Sequence, residues 1–209
     1  NPIRIEYITE KIKHHFNIKN NKSNYLKGLT ILDIGCGGGL IAEPMARLGA
    51  SVTGIDASYK NIKVAELHSK NNNLKINYLN KSPEQLKNFD KFDIILNLEI
   101  VEHVENVDLY IQSCSNLIKK EGLMFTATIN RTIESYIKAI IGAEYILRWL
   151  PIGTHDWNMF VKPDDLVKIC KKNSLRLDEI SGVKYNVISR DWNLSKDNDV
   201  NYLARFEKI

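Results

Sequence analysis

The chain has 209 residues, 44% of them hydrophobic and 26% charged, which fits one globular domain with a single core and excludes a disordered protein. The formal net charge is +4 and the sequence pI about 8.8, but the lysines are scattered and no run of five or more like charges occurs, so no nucleic-acid partner is expected. No uninterrupted apolar stretch is long enough to span a bilayer, and Cys36, Cys114 and Cys170 are too far apart for a metal-ligand spacing, which suits a reducing compartment.

In chain order, residues 2–16 predict an amphipathic helix, with Ile5, Ile8, Ile12 and Phe16 near helical spacing. Leu29–Ile34 predicts a short buried strand, followed by a glycine-rich turn and a helix over Leu40–Leu48. Ser51–Ile55 is a second strand, closed by Asp56, and a helix runs from Ser58 to about Lys70. Leu74–Leu79 and Phe92–Leu98 are the third and fourth strands, Val107–Ile118 is helical, and Leu123–Ile129 is the fifth strand. The pattern then changes. Ile133–Leu150 is a strongly apolar helical segment stopped by Pro151, and Pro163 starts a helix that reaches about Lys172. Leu175–Ile180 and Tyr202–Glu207 complete seven strands, and because a loop rather than a helix separates these two, the last is expected to be antiparallel. The alternation predicts an α/β fold: a Rossmann-like, seven-stranded, mostly parallel sheet with helices on both faces. Residues 1–209 form one domain on this reading, with a helical cap over 130–162 inserted after the fifth strand.

Residues 32–39 read Leu-Asp-Ile-Gly-Cys-Gly-Gly-Gly, between a strand and a helix. Glycines there let the backbone turn sharply and let a ligand approach the main chain. Gly37-x-Gly39-x-x-Ala42 also fits a dinucleotide fingerprint, and Asp56, 17 residues beyond Gly39, is placed to accept ribose hydroxyls. Asp33 separates the two cofactor classes. A carboxylate two residues before the first glycine, Gly35, would repel a pyrophosphate but attract the free amino group of S-adenosylmethionine. The block Asp33-x-Gly35-x-Gly37-x-Gly39 resembles the first motif of Rossmann-like methyltransferases.

Residues 97–104 read Asn-Leu-Glu-Ile-Val-Glu-His-Val at the carboxyl end of the fourth strand, where open α/β sheets bind ligands. If the stretch is helical, Glu99, Glu102 and His103 share one face. Such a trio suits a divalent metal such as Mg or Zn, or general acid–base catalysis with His103 as base. The plainer alternative is that the acids and the histidine contact the cofactor or brace the loop. His155 and Asp156 in the cap loop are weaker candidates, with a structural turn as the competing role.

Further blocks narrow the resemblance. Asn1-Pro2-Ile3-Arg4, the glycine loop, Glu99-Ile-Val-Glu-His-Val104, Ile129-Asn130-Arg131, Gly142-Ala-Glu-Tyr-Ile-Leu-Arg148, Gly153-Thr-His-Asp156 and Asp199-Val-Asn-Tyr202 follow in order along the chain. Together they resemble the ubiquinone-biosynthesis O-methyltransferase family. That resemblance implies methylation of catechol-type hydroxyls on polyprenylated intermediates, at a polyprenyl-hydroxyphenol step and at 3-demethylubiquinol. It implies cofactor contacts at Arg4, Gly35, Asp56 and Leu98, with Arg4 on the methionine carboxylate, and metal ligands at Glu99, Glu102 and His103. Family members also extend upstream of the block that starts at Asn1. A bilayer-resident substrate implies peripheral membrane contact, for which Ile133–Leu150 is the expected surface, and leaves room for other enzymes of ubiquinone biosynthesis as partners. The location implied is cytoplasmic at a bacterial inner membrane, or the matrix side in a eukaryote. The rivals are a methyltransferase acting on another small molecule, an NAD-dependent oxidoreductase, and a non-catalytic lipid-binding module that has kept an adenosyl pocket.

Overall fold

In the computed structural model, which describes residues 2–19, 23–136, 156–186 and 191–209, five strands form the parallel half of the sheet. They are β1 (Thr30–Ile34), β2 (Ser51–Ile55), β3 (Asn77–Leu79), β4 (Phe92–Leu98) and β5 (Ile118–Ile129), all mutually parallel. Aliphatic runs in β1, β2, β4 and the second half of β5 are largely buried. β6 (Leu175–Asn186), β7 (Asp191–Ser195) and β8 (Asn201–Lys208) add an antiparallel half, and the order across the sheet is β3-β2-β1-β4-β5-β8-β6-β7. Among the described residues the sheet therefore has eight strands, one more than the seven predicted. The extra strand, Asp-Trp-Asn-Leu-Ser, pairs with β6 and, among the described residues, stands at the sheet edge. It lacks the apolar run that a strand covered on both faces would show.

Alternation along β4 and β5 divides the core. Ile94, Leu96, Phe125 and Ala127 meet α1 (Pro2–His15), α2 (Ala42–Arg47) and α3 (Tyr59–Asn71) through Ile8, Ile12, Met45, Ile62 and Ala65. Ile95 and Met124 turn to the other face, against Ile111 and Cys114 of α4 (Val107–Asn116) and Leu166 and Cys170 of α6 (Pro163–Lys172). Burying side chains of this size stabilises by about 1.5–3 kcal/mol each before entropy is counted, so the two faces together fix the sheet. The cysteines serve this packing: all three are buried and free.

The helix ends follow local chemistry. Ser58 and Asn106 accept from Asn61 N–H (3.3 Å) and Leu109 N–H (3.0 Å) to start α3 and α4. α6 opens on Pro163 with Asp164 and Asp165 in its first turn and closes on Lys171 and Lys172, each charge matching the helix dipole. A short helix, α5 (Ile133–Ser135), leads out of β5; the rest of the predicted apolar helix lies outside the described residues, as does His155. Where the chain resumes, Asp156 accepts from Asn158 N–H (2.9 Å) and caps the turn Trp157–Met159. Among the described residues no helix is long and apolar enough to cross a membrane.

Candidate active site

β1 and β4 are neighbours, but their following segments leave in opposite directions across the sheet, the first toward β2 and β3, the second toward β5. The carboxyl ends of these two strands flank the switch point at which open α/β sheets bind ligands. Two adjoining cavities sit there. The larger, about 380 Å³, is bordered by Gly35, Asp56, Lys81, Ser82, Glu84, His103 and Tyr110, and the smaller, about 180 Å³, by Arg4, Asp33, Gly35, Gly37, Leu40 and Leu98. Gly35 belongs to both. Its φ of +66° and the Ile100 side chain, which a Cβ at Gly35 would overlap, together require glycine at this point.

Asp33 stands at 3% exposure near the end of β1, and its Oδ2 has no hydrogen-bond partner among the described residues. Burial raises its pKa to about 7, with the Asp56 charge adding and the Ala42 N–H partly offsetting. Arg4, the cation of the same cavity, reaches it from the first turn of α1, which Tyr7, Ile8 and Ile12 anchor in the core. One orphaned carboxylate, one guanidinium and a glycine loop are the complement of an amino acid's ammonium and carboxylate. The pair thus fits the amino-acid end of S-adenosylmethionine.

Asp56 is more occupied than its position in the sequence implied. Its Oδ2 accepts from Gly37 N–H (2.9 Å), and its Oδ1 from Ser58 N–H (2.7 Å) and Asn61 Nδ2 (3.3 Å). A carboxylate has about four acceptor directions, so one remains for a ribose hydroxyl, and a second hydroxyl must displace the long bond from Asn61. Asp56 therefore also ties the glycine loop to β2. Asp56→Ala should weaken S-adenosylhomocysteine (SAH) binding by roughly 10- to 150-fold, the loss of a charge-assisted hydrogen bond. Titration calorimetry measures it, and a change under threefold would remove Asp56 from the site.

The expected shared helical face of Glu99, Glu102 and His103 does not form. Glu99 precedes any helix, with φ +60° and its N–H on Ala127 O at 2.8 Å, and only Val101–His103 make a single 3₁₀ turn. The ladder bond to β5 holds Glu99 at the strand end, and the reversal there prevents an α-helix from starting. Glu99 pairs with Arg4 Nη2, Glu102 is buried and accepts from Thr128 O–H (2.6 Å), and His103 is exposed on the rim of the larger cavity. Burial, then the neighbouring Glu99 charge, push Glu102 up to about 8. Among the described residues no group of three or more His, Cys, Asp or Glu side chains is arranged to hold a metal ion. Glu99 and Glu102 lie beside each other, with Arg4 and Thr128 as their respective partners, and His103 does not join them in such a group.

The sequence reading missed Lys81, Ser82, Glu84 and Tyr110 on the wall of the larger cavity and Thr128 behind Glu102. Their one available signal was position: residues 81–84 follow the third strand, beside the strand that ends in Asp56.

A family model described as a methyltransferase domain matches residues 32–126. The ubiquinone biosynthesis O-methyltransferase of Pelagibacter ubique (strain HTCC1062) is 56% identical over 208 residues, covering 100% of this chain and 86% of that protein. The protein of the same name from Bartonella tribocorum (strain CIP 105476 / IBS 506) is 53% identical, over 97% and 83% respectively. Among solved structures, magnesium protoporphyrin IX methyltransferase from Synechocystis PCC 6803 with bound SAH is similar in fold, with a TM-score of 0.71 at 18% identity over 99% of this chain and 82% of that one. The glycine loop, the acids around it and likeness to named relatives along the whole chain agree: the chain is an S-adenosylmethionine-dependent methyltransferase and belongs to the ubiquinone biosynthesis O-methyltransferase family.

Proposed function

We propose that the chain methylates catechol-type hydroxyls of polyprenylated ring intermediates, at the polyprenyl-hydroxyphenol step and at 3-demethylubiquinol. The observation that carries this reading is identity of 56% and 53% to relatives named for ubiquinone biosynthesis O-methylation. When bound, S-adenosylmethionine supplies an electrophilic methyl group. Asp33 and Arg4 would hold its amino-acid end, Asp56 its ribose, and Gly35 and Leu98 the wall between.

The remaining work of the chain is alignment and proton handling. A phenol with a pKa near 10 is a poor nucleophile until it loses its proton. Glu99, with a side chain 35% exposed, and the buried Glu102 beside it form a carboxyl pair that can receive that proton. His103, on the rim of the larger cavity, limits water and stands as an alternative base. The test is methyl transfer to a short-chain demethylubiquinol, with and without a chelator. Turnover in both arms supports the carboxyl pair or His103 as proton acceptor, loss with chelator moves that task to a metal, and no turnover in either arm overturns the substrate assignment.

A polyprenylated substrate resides in the bilayer, so the enzyme works peripherally at a membrane surface, cytoplasmic in a bacterium. Residues 133–150 are the proposed contact, their sequence being mostly apolar with few charges, among them Lys138 and Arg148 for anionic lipid. At the described flanks of this stretch, Tyr136 is exposed and packs edge-on against Trp157, with ring centres 6.4 Å apart, an aromatic pair suited to a lipid interface. Changing Ile140, Ile141 and Trp149 together to polar residues should abolish flotation with anionic vesicles. Equal flotation of variant and wild type would assign the contact elsewhere.

A further inference from the structure

Arg4 joins three parts of the molecule. It stands on α1, borders the smaller cavity beside Asp33 and Leu98, and donates through Nη2 to Glu99 Oε1. The backbone of Glu99 is fixed by its φ of +60° and its N–H on Ala127 O, so only its side chain can answer a change at Arg4. Both partners are partly open to solvent, with side chains 23% and 35% exposed, which leaves the pair free to exchange. Among the described residues that border this cavity, Arg4 is the one cation. A carboxylate entering with an amino-acid ligand therefore has one guanidinium to bind, and Glu99 is already on it. Two carboxylates on one guanidinium repel each other, and the buried Asp33 nearby adds to that repulsion.

We propose that Arg4 is shared between Glu99 and the carboxylate of the cofactor, so that cofactor binding loosens Glu99 from Arg4 and turns it toward the acceptor hydroxyl. Glu99 is then the group that couples the two substrates, and the coupling is reciprocal: each should strengthen binding of the other by the same factor. The acceptor half of this statement rests on the catechol reading above; the Arg4 half does not.

The experiment is calorimetry of SAH binding to the wild type, E99Q, R4A and the double variant. With its rival carboxylate removed, Arg4 in E99Q should bind SAH about 5- to 20-fold more tightly than in the wild type, within the usual span of coupling between sites. On the R4A background the same change should gain nothing. Equal or weaker SAH binding by E99Q overturns the proposal, because Glu99 would then be supporting Arg4 rather than competing for it. E99N is the second variant, since Asn tolerates a positive φ and guards against a folding defect in E99Q. The wild type alone supplies a further arm: a short-chain catechol should bind more tightly with SAH present, and independent binding of the two overturns the coupling. A protein that binds no catechol fails the substrate reading, while the SAH arms still decide the exchange at Arg4.

Discussion

SAH should bind about 10- to 30-fold more tightly at about pH 8 than at about pH 5.5, with the change half complete near about pH 7, where half the sites are ionised, and levelling off above about pH 8. Asp33 is the cause. Burial holds it up near 7, so below that pH it is largely a neutral acid with an Oδ2 unpartnered among the described residues. An ammonium brought beside it favours the ionised form, so binding is linked to loss of a proton. Calorimetry in two buffers of different ionisation enthalpy counts that proton. Asp33→Asn should bind roughly 10- to 150-fold more weakly at the higher pH and lose the pH dependence. Stability should move the other way. The folded pKa of about 7 lies above the ordinary 3.8, so the folded chain holds a proton that the unfolded chain releases. The contribution of Asp33 to stability is therefore fully present below about pH 4 and is lost as pH rises to about 7, a change of up to about 4 kcal/mol. Asn escapes that loss, so the variant should be the more stable protein at about pH 8 by denaturant unfolding. A wild-type affinity that stays flat from about pH 5.5 to 8 would mean that Asp33 is ionised throughout.

Glu102→Gln should lower turnover on a catechol by roughly 10²- to 10⁴-fold while changing SAH affinity by less than about threefold. Glu102 is held near 8 by burial and by its hydrogen-bonded neighbour Glu99, and the Thr128 hydroxyl only partly counters this. A base with a pKa close to the working pH takes a phenolic proton more effectively than an ordinary carboxylate. In the wild type, turnover should therefore climb with pH and level off above about 8, as Glu102 ionises; the Gln variant should lack this limb. A variant that folds and turns over normally would reduce Glu102 to a brace for the loop. If His103→Asn removes the pH limb instead, the imidazole is the base.

The parallel half of the fold was legible because β1, β2, β4 and the second half of β5 are largely buried, which leaves aliphatic runs, three of them beside Asp33, Asp56 and Leu98. The glycine loop was legible because close backbone approach demands glycine whatever lies around it. β7 was not, since a strand paired with β6 and, among the described residues, standing at the sheet edge needs no apolar face. The face shared by Glu99, Glu102 and His103 was misread for a related reason. Spacings of three and four imply a common face only if the chain is helical, and the positive φ at Glu99 depends on a tertiary bond to Ala127. The partners Arg4 and Thr128 lie 95 and 26 residues from the acids they hold, and no local pattern reports such distances.

The place of β8 has a consequence for synthesis on the ribosome. It follows β6 and β7 in sequence, yet it lies between β5 and β6 and carries the buried Tyr202, Leu203, Ala204 and Phe206. As the chain emerges from its amino end, β5 is made long before its antiparallel partner, and until residues 201–208 leave the exit tunnel its backbone amides and carbonyls form an open edge. The nascent protein therefore spends the interval between those strands with an apolar edge exposed to neighbouring chains. Chaperone demand should be concentrated in that interval, and a stop codon just before residue 201 should cost the cell the whole domain rather than one strand.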